Sequence, residues 1–256
     1  MPYLEVRETY GSVQPYAAHF HHTLSVGIIL SGSTNFWCCG QDYLARPLDM
    51  VLIEPDAVHM CNPVNGRPRS YYMLHLEPAW CFDRKNIAAS AGLGLGVRKR
   101  LIRRADICVE LVNELRELQN TVKDSSARLE QLLGKIVEEY CVLRTANQQL
   151  SPHTAILAEG LLPEARCKVK DLAGLCGIRR ESYIRQVKKH TGLTPGAYRH
   201  CLRLAEARRL LRQGHDISEA ALAVGYTDQS HFHRMFVKYY SATPGQYHCR
   251  SLSYKK

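Results

Sequence analysis

Three histidines offer the first chemistry. His19-Phe-His21-His22 puts His19 and His21 on one face of an extended segment, because side chains alternate along a strand. His59 follows Glu54-Pro55-Asp-Ala-Val58 near a strand end. Three imidazoles so placed can hold a divalent metal, or line a pocket for an organic ligand. The pocket is the expectation, with His19, His21, Trp37, His59 and Tyr72 as its binding set and neither metal nor cofactor required. Cys38, Cys39, Cys61 and Cys81 could supply soft metal ligands, although buried packing is the plainer role for a thiol. No phosphate-binding glycine loop, Gly-x-Ser-x-Gly or His-Glu-x-x-His occurs. The chain is therefore not expected to be an enzyme; the different-class alternative is a metal-dependent enzyme or metal sensor built on His19, His21 and His59.

A second set of residues points to DNA. Two stretches repeat one pattern: a short alanine-bearing helix, a turn glycine (Gly177, Gly225), then a helix with a polar, partly basic face. This is the helix-turn-helix arrangement, whose second helix enters the major groove. In the first stretch the candidates are Arg179, Arg180, Glu181, Ser182, Ile184, Arg185, Lys188 and Lys189. In the second they are Gln229, Ser230, His231, His233, Arg234 and Lys238. Arginine can read guanine with two hydrogen bonds, glutamate can accept from cytosine and Ile184 can meet a thymine methyl. Lys188 and Lys189 are better placed for phosphates, which add affinity without sequence information. Tyr183, Phe232 and Phe236 are expected in the core. Charge agrees: Met1–Pro152 carries 16 Lys+Arg and 16 Asp+Glu, whereas His153–Lys256 carries 18 and 8. The basic excess sits wholly with the helix-turn-helix patterns.

The elements that must position these groups differ between the two ends. Leu24–Leu30, Thr34–Cys39, Met50–Ile53 and Tyr71–Leu76 read as short strands separated by turn residues, which suggests an antiparallel barrel or jelly roll. Gly92-Leu-Gly-Leu-Gly96 reads as a flexible joint. Two apolar stripes of helical spacing follow, Leu101, Ala105, Cys108, Val112, Leu115 and Leu129, Leu132, Leu133, Ile136, Tyr140, Leu143. Ser125 or Ser126 is the N-cap of the second. These helices can pack on the barrel or pair with another subunit, and Asn147–Pro152 reads as a linker. Further on, His153–Leu161 reads as a helix, and Val169–Cys176 with Arg179–His190 as the first helix-turn-helix. Thr194 caps a long helix from Pro195 to about Arg212, roughly 25 Å in length. The second unit begins at Asp216. Gly192-Leu-Thr-Pro-Gly-Ala-Tyr198 returns as Ser241-Ala-Thr-Pro-Gly-Gln-Tyr247, so one unit is duplicated.

Val169–Arg250 closely resembles the DNA-binding domain of the AraC/XylS family of transcription regulators. The match rests on Asp171-Leu-Ala173, Gly177, Tyr183-Ile-Arg185, Gly192, Pro195, Tyr198, Arg203, Ala207, Gly225-Tyr226, Ser230-His-Phe232, Arg234, Phe236, Pro244 and Tyr247. The N-terminal strands more weakly resemble the cupin-type sensor half of the same family. There the histidine pattern departs from cupins, because Thr23-Leu-Ser-Val26 stands where a glutamate ligand usually follows His21. The resemblance implies an α+β multidomain chain: a cupin-like effector-sensing β domain at 1–85, a helical connector or dimerisation region at 86–150, and a double helix-turn-helix domain at 151–256. It also implies a cytoplasmic transcription regulator, expected to be an activator, whose partners are double-stranded promoter DNA, RNA polymerase, a small-molecule effector and a second copy of itself. No run is long and apolar enough to span a membrane, and none of the ten cysteines forms a Cys-x-x-Cys pair.

Overall fold

In the computed structural model, which describes residues 3–87, 93–120, 126–145 and 167–248, the apolar run Leu24–Ser31 is a central strand covered on both faces. The chain divides into two compact units, one holding Met1–Pro15 and His21–Asn147, the other Tyr16–Phe20 and Gln148–Arg250.

The strands of the first unit are β1 (Leu4–Ser12), β2 (Leu24–Ser31), β3 (Thr34–Cys38), β4 (Gln41–Ala45), β5 (Met50–Ile53), β6 (His59–Pro63), β7 (Arg69–Leu76), β8 (Leu93–Val97), β9 (Leu101–Ile102) and β10 (Cys141–Thr145). They form a five-stranded sheet ordered β1-β7-β2-β5-β9, a three-stranded sheet β4-β3-β6 and a β8–β10 pair, all antiparallel. The expected barrel is open: among the described residues no ladder joins the two larger sheets. Helices α1 (Pro78–Arg84), α2 (Ala105–Asn120) and α3 (Ala127–Tyr140) complete this unit.

Alternation sorts the large sheet into two faces. Leu24, Val26, Ile28, Met50, Leu52, Tyr72 and Leu74 share a core with Leu111, Leu115, Leu129, Leu133 and Val137, which come from α2 and α3. The opposite face gives Val51 and Ile53 to a smaller core with Phe36, Cys38 and Ala57. A strand buried on both sides shows no polar alternation, which is why Leu24–Leu30 reads as one apolar run. Each fully covered leucine in the helix-facing layer contributes roughly 2 kcal/mol relative to exposure. Gly27 makes room for its two cross-strand neighbours in the same sheet: a Cβ there would stand 3.0 Å from Val51 Cγ2 and 3.1 Å from Met73 Cε.

Two expectations change here, and one holds. Gly92–Gly96 is not a joint in its described part, because Leu93–Val97 pairs with Cys141–Thr145 as β8 and β10. Leu101 lies in β9 and Leu143 in β10, so neither extends a helical stripe. The helices also lean on the sheet, Ser126 accepting from Leu129 N at 3.1 Å as the N-cap of α3. The linker at Asn147–Pro152 and the helix at His153–Leu161 lie outside the described residues.

Among its described residues the second unit consists of helices and their connecting turns, apart from Tyr16–Phe20. Its helices are α4 (Val169–Leu175), α5 (Arg180–Thr191), α6 (Pro195–Arg212), α7 (Ile217–Ala223), α8 (Gln229–Tyr240) and α9 (Pro244–His248). Local chemistry fixes the helix ends. Thr194 accepts from Ala197 N, Pro195 opens α6, and Gly192 closes α5 at φ +77°. Asp216 N donates to Glu219 Oε2 at 3.4 Å, the backward half of a capping box on α7. Within this unit Ala17 N donates to Lys238 O at 3.3 Å, and the Phe20 ring lies 5.2 Å from Tyr198.

Candidate nucleic-acid interface and effector site

The second helix of each helix-turn-helix is oriented by what it buries. In α5, Tyr183 and Val187, four residues apart, are 0% and 1% exposed and pack with Leu172 and Ala173 of α4. That turns Arg180, Glu181, Arg185 and Lys188 outward, with Arg179 and Lys189 also exposed and Ser182 and Ile184 half-buried at the margin. Arg180 meets Glu181 only loosely, at 3.8 Å, and Arg185 has no ion pair among the described residues.

In α8, Phe232 and Phe236 are fully buried with Tyr239 and Tyr240, as expected for the aromatics. Gln229, Ser230, His231, His233, Arg234 and Lys238 are exposed. Asp228 caps the helix by accepting from Ser230 N at 2.9 Å and His231 N at 3.1 Å. Arg234 reaches Asp228 only at 4.0 Å, with both side chains more than half exposed, so the guanidinium is available. His231 differs from its neighbours: its ring lies 5.4 Å from Tyr226 and 6.2 Å from His200, edge-on to both. Beneath it, His200 Nδ1 lies 2.8 Å from Tyr226 Oη. Burial, followed by the nearby His231, pushes the His200 imidazole down to about 4.

The effector candidates separate by strand parity. Cys38 on β3 opposes His59 on β6, and both face the layer between the two sheets. His21 joins His59 there, ring centroids 5.1 Å apart, and His75 from β7 stands 4.8 Å from His21. His75 Nδ1 lies 2.9 Å from Ser25 Oγ. His59 donates Nδ1–H to Ala57 O at 2.8 Å, and burial holds its imidazole down at about 4, so it stays neutral. His19 belongs to the second unit, where its ring lies 5.6 Å from Tyr16 and 6.5 Å from Tyr239. Trp37 has the opposite parity to Phe36 and Cys38 and points away from the inter-sheet layer, half-buried. Tyr72 likewise turns into the helix-facing core, because it alternates with Tyr71, Met73 and His75. His75 escapes the sequence reading; its one signal is a polar residue inside the apolar run Tyr71–Leu76. Among the cysteines, Cys81 belongs to the helix-facing core, and Cys61 is half-buried. Cys38 donates S–H to Cys39 across 3.8 Å, which holds the exposed Cys39 thiol down at about 6, with Arg100 assisting.

An open antiparallel sheet unit followed by a duplicated helix-turn-helix defines a two-part regulator, and comparison with known proteins agrees. Residues 2–164 match the AraC-like ligand binding domain and residues 168–250 a helix-turn-helix domain. The chain belongs to the AraC family of transcriptional regulators, with a ligand-binding domain and a helix-turn-helix DNA-binding domain. It is 27% identical over 240 residues to the uncharacterized HTH-type transcriptional regulator YbfI of Bacillus subtilis, covering 90% of this chain and 86% of that one. It is 49% identical over 61 residues to the HTH-type transcriptional activator RhaS of Pectobacterium carotovorum, covering 23% of this chain and 22% of that protein. An apo point variant of ToxT from Vibrio cholerae has the same fold, at TM-score 0.58 and 13% identity over 95% of this chain and 96% of that one. Wild-type ToxT bound to an unsaturated fatty acid aligns at TM-score 0.52 and 14% identity, over 95% and 93% of the two chains. Among the described residues no helix is long and apolar enough to cross a membrane.

Proposed function

We propose that the chain is an effector-responsive transcription activator. The observation that carries this is the outward presentation of Arg180, Glu181, Arg185, Gln229, Ser230, His233 and Arg234 by two helices whose opposite faces are locked into aromatic or aliphatic cores. Arg185 and Arg234 read bases, and Lys188, Lys189 and Lys238 hold phosphates. His231 supports the protein side of the interface, since it lies over Tyr226 and His200. Promoter DNA is the macromolecular target and RNA polymerase the partner through which activation acts, in the cytoplasm and with the protein as a homodimer. The similarity to an activator supports the sign of regulation.

The effector enters the sheet unit, where His21, His59 and His75 bring polar ring nitrogens into a buried layer that also holds Phe36, Val51 and Ile53. ToxT, of the same fold, holds a fatty acid, which supports a small-molecule effector here. Such a molecule controls transcription only if it binds one DNA-binding state better than the other. The test is selection of bound sequences from random duplexes by the full-length protein. Enrichment of a site with two half-elements about one helical turn apart is expected; no enrichment at low salt would overturn the assignment. Elemental analysis separates the metal alternative, since a bound metal lost in His21→Ala would replace the organic effector by an ion.

A further inference from the structure

The two facing sheets of the first unit are unequal, and the mismatch leaves an edge. The smaller sheet ends at β4, and the larger ends at β9, which is two residues long. Between them lies a pocket of about 380 Å³. One wall is Gln41 and Tyr43 of β4; the other is Arg98, Lys99, Arg100 and Arg103, with Leu101 as the apolar floor. We propose that this edge is a binding site for a small dianionic metabolite whose acid groups are phosphates or carboxylates.

Charge supports this first. Four cations fall within six consecutive positions, and no carboxylate lines the pocket. Glu54 pairs with Arg100, and Asp49 reaches Arg103 at only 3.9 Å. Arg98 and Lys99 make no ion pair among the described residues. Two cations thus stand without a counter-charge and a third is loosely matched, which is the complement of a dianion. Like charges collected at one mouth repel each other, and a concave wall focuses their field onto whatever anion enters.

The donors are also held in place. Arg98 N donates to Tyr140 O at 2.8 Å, and Leu52 N donates to Arg100 O at 2.9 Å, so the basic turn is tied to neighbouring elements at its start and in its middle. Arg100 is itself only 17% exposed at the side chain and fixed by Glu54. On the facing wall Tyr43 Oη donates to Gln41 Oε1 at 2.5 Å, which leaves the Gln41 amide N–H groups to donate to a ligand. Guanidinium forks and an amide, on a backbone that need not reorganise, match planar carboxylate or tetrahedral phosphate oxygens. The volume falls at the small end of ligand sites, so a compact metabolite fits and a long chain does not.

The site does not depend on the regulator reading, and its test involves no DNA. Full-length protein is titrated calorimetrically at mildly alkaline pH with inorganic phosphate and, separately, with succinate, both dianions there, at ionic strength held constant with sodium chloride. Saturable one-to-one binding of at least one probe is expected; inorganic phosphate alone marks a phosphate site and succinate alone a carboxylate site. The double variant Arg98→Gln/Lys99→Gln should bind about tenfold or more weakly, having lost two charge-assisted contacts. Lys135→Gln, which removes an exposed charge from α3, should bind as the wild type does. If the double variant does not fold, as judged by its circular dichroism, Arg103→Gln takes its place. Absence of saturable binding by both probes, equal affinity in the pocket variant, or an equal loss in Lys135→Gln would each overturn the proposal.

Discussion

The two helix-turn-helix units share a plan but are built to different tolerances. The first, α4–α5, closes on a small core of Leu172, Ala173, Tyr183 and Val187. The second, α7–α8, closes on a run of rings: Phe236 lies 5.5 Å from Phe232, 4.9 Å from Tyr240 and 5.3 Å from Tyr247, with Arg208 over the two tyrosines. Caps differ too. Asp228 accepts two backbone N–H bonds at the start of α8, whereas Arg179 in the same place on α5 supplies no side-chain cap. Charge runs the other way. Arg179, Arg180, Arg185, Lys188 and Lys189 cluster on or beside α5, while α8 exposes Arg234 and Lys238 with neutral polar groups. The unit with the larger aromatic core therefore exposes the fewer cations.

Core variants should separate the two most sharply. Phe236→Ala should cost about 3–5 kcal/mol of stability, since it removes a fully buried ring, whereas Val187→Ala should cost less, roughly 1–3 kcal/mol. Chemical denaturation followed by circular dichroism measures both, and a larger loss at Val187 would invert the comparison.

DNA binding should show the opposite ranking. Arg185→Ala should weaken specific binding by about 1–3 kcal/mol if the side chain reads a base; an equal loss on random duplex would assign it to the backbone. Lys188→Ala should lower the slope of log affinity against log salt by about one, as one released counterion requires.

The helix ends give a smaller and cleaner contrast. The residue after α5 is Gly192 at φ +77°, and after α8 it is Ser241 at φ +47°. A side chain in that left-handed region costs about 1 kcal/mol. Gly192→Ala should therefore destabilise by roughly that amount, and Ser241→Gly should stabilise by a somewhat smaller one, read as opposite shifts in thermal midpoint.

Acid should act on the second unit through His200. The unfolded chain takes up a proton near the ordinary histidine value of 6.5, and the folded imidazole refuses it until about 4. The unfolded state thus binds more protons between those limits, and stability falls as pH drops from 6.5 toward 4. His200 is partly solvated, so the slope stays below ~1.4 kcal/mol per pH unit. His200→Gln should flatten it; an unchanged slope would move the effect to another group.

The helical half is far more readable than the sheets. Gly177, Gly192, Gly225, Thr194, Pro195, Asp216 and Asp228 act through contacts within a few residues, so their types mark turns and helix ends directly. Tyr183, Phe232 and Phe236 fall in step with the helical period, which by itself assigns them to the core. Strand β1 leaves a fainter trace: Leu4 and Val6 alternate with Glu5 and Arg7, a period of two hidden among charges and absent from the strands read above.

Sequence alone was sufficient for the helix-turn-helix pair, its duplication and the outward set of basic residues, because those depend on local periodicity and capping. Only the tertiary structure decided which parity of each strand faces the partner sheet and which faces the helices. Both faces of β2 and β7 are buried, so alternation carries no phase there, and the sequence does not say whether Tyr72 or His75 faces the partner sheet. The tertiary structure also decided that Leu93–Val97 is a strand, because its partner Cys141–Thr145 lies more than forty residues away. The basic turn at Arg98–Arg103 becomes a pocket wall for the same reason: Gln41 and Tyr43 reach it through sheet packing that no local pattern encodes.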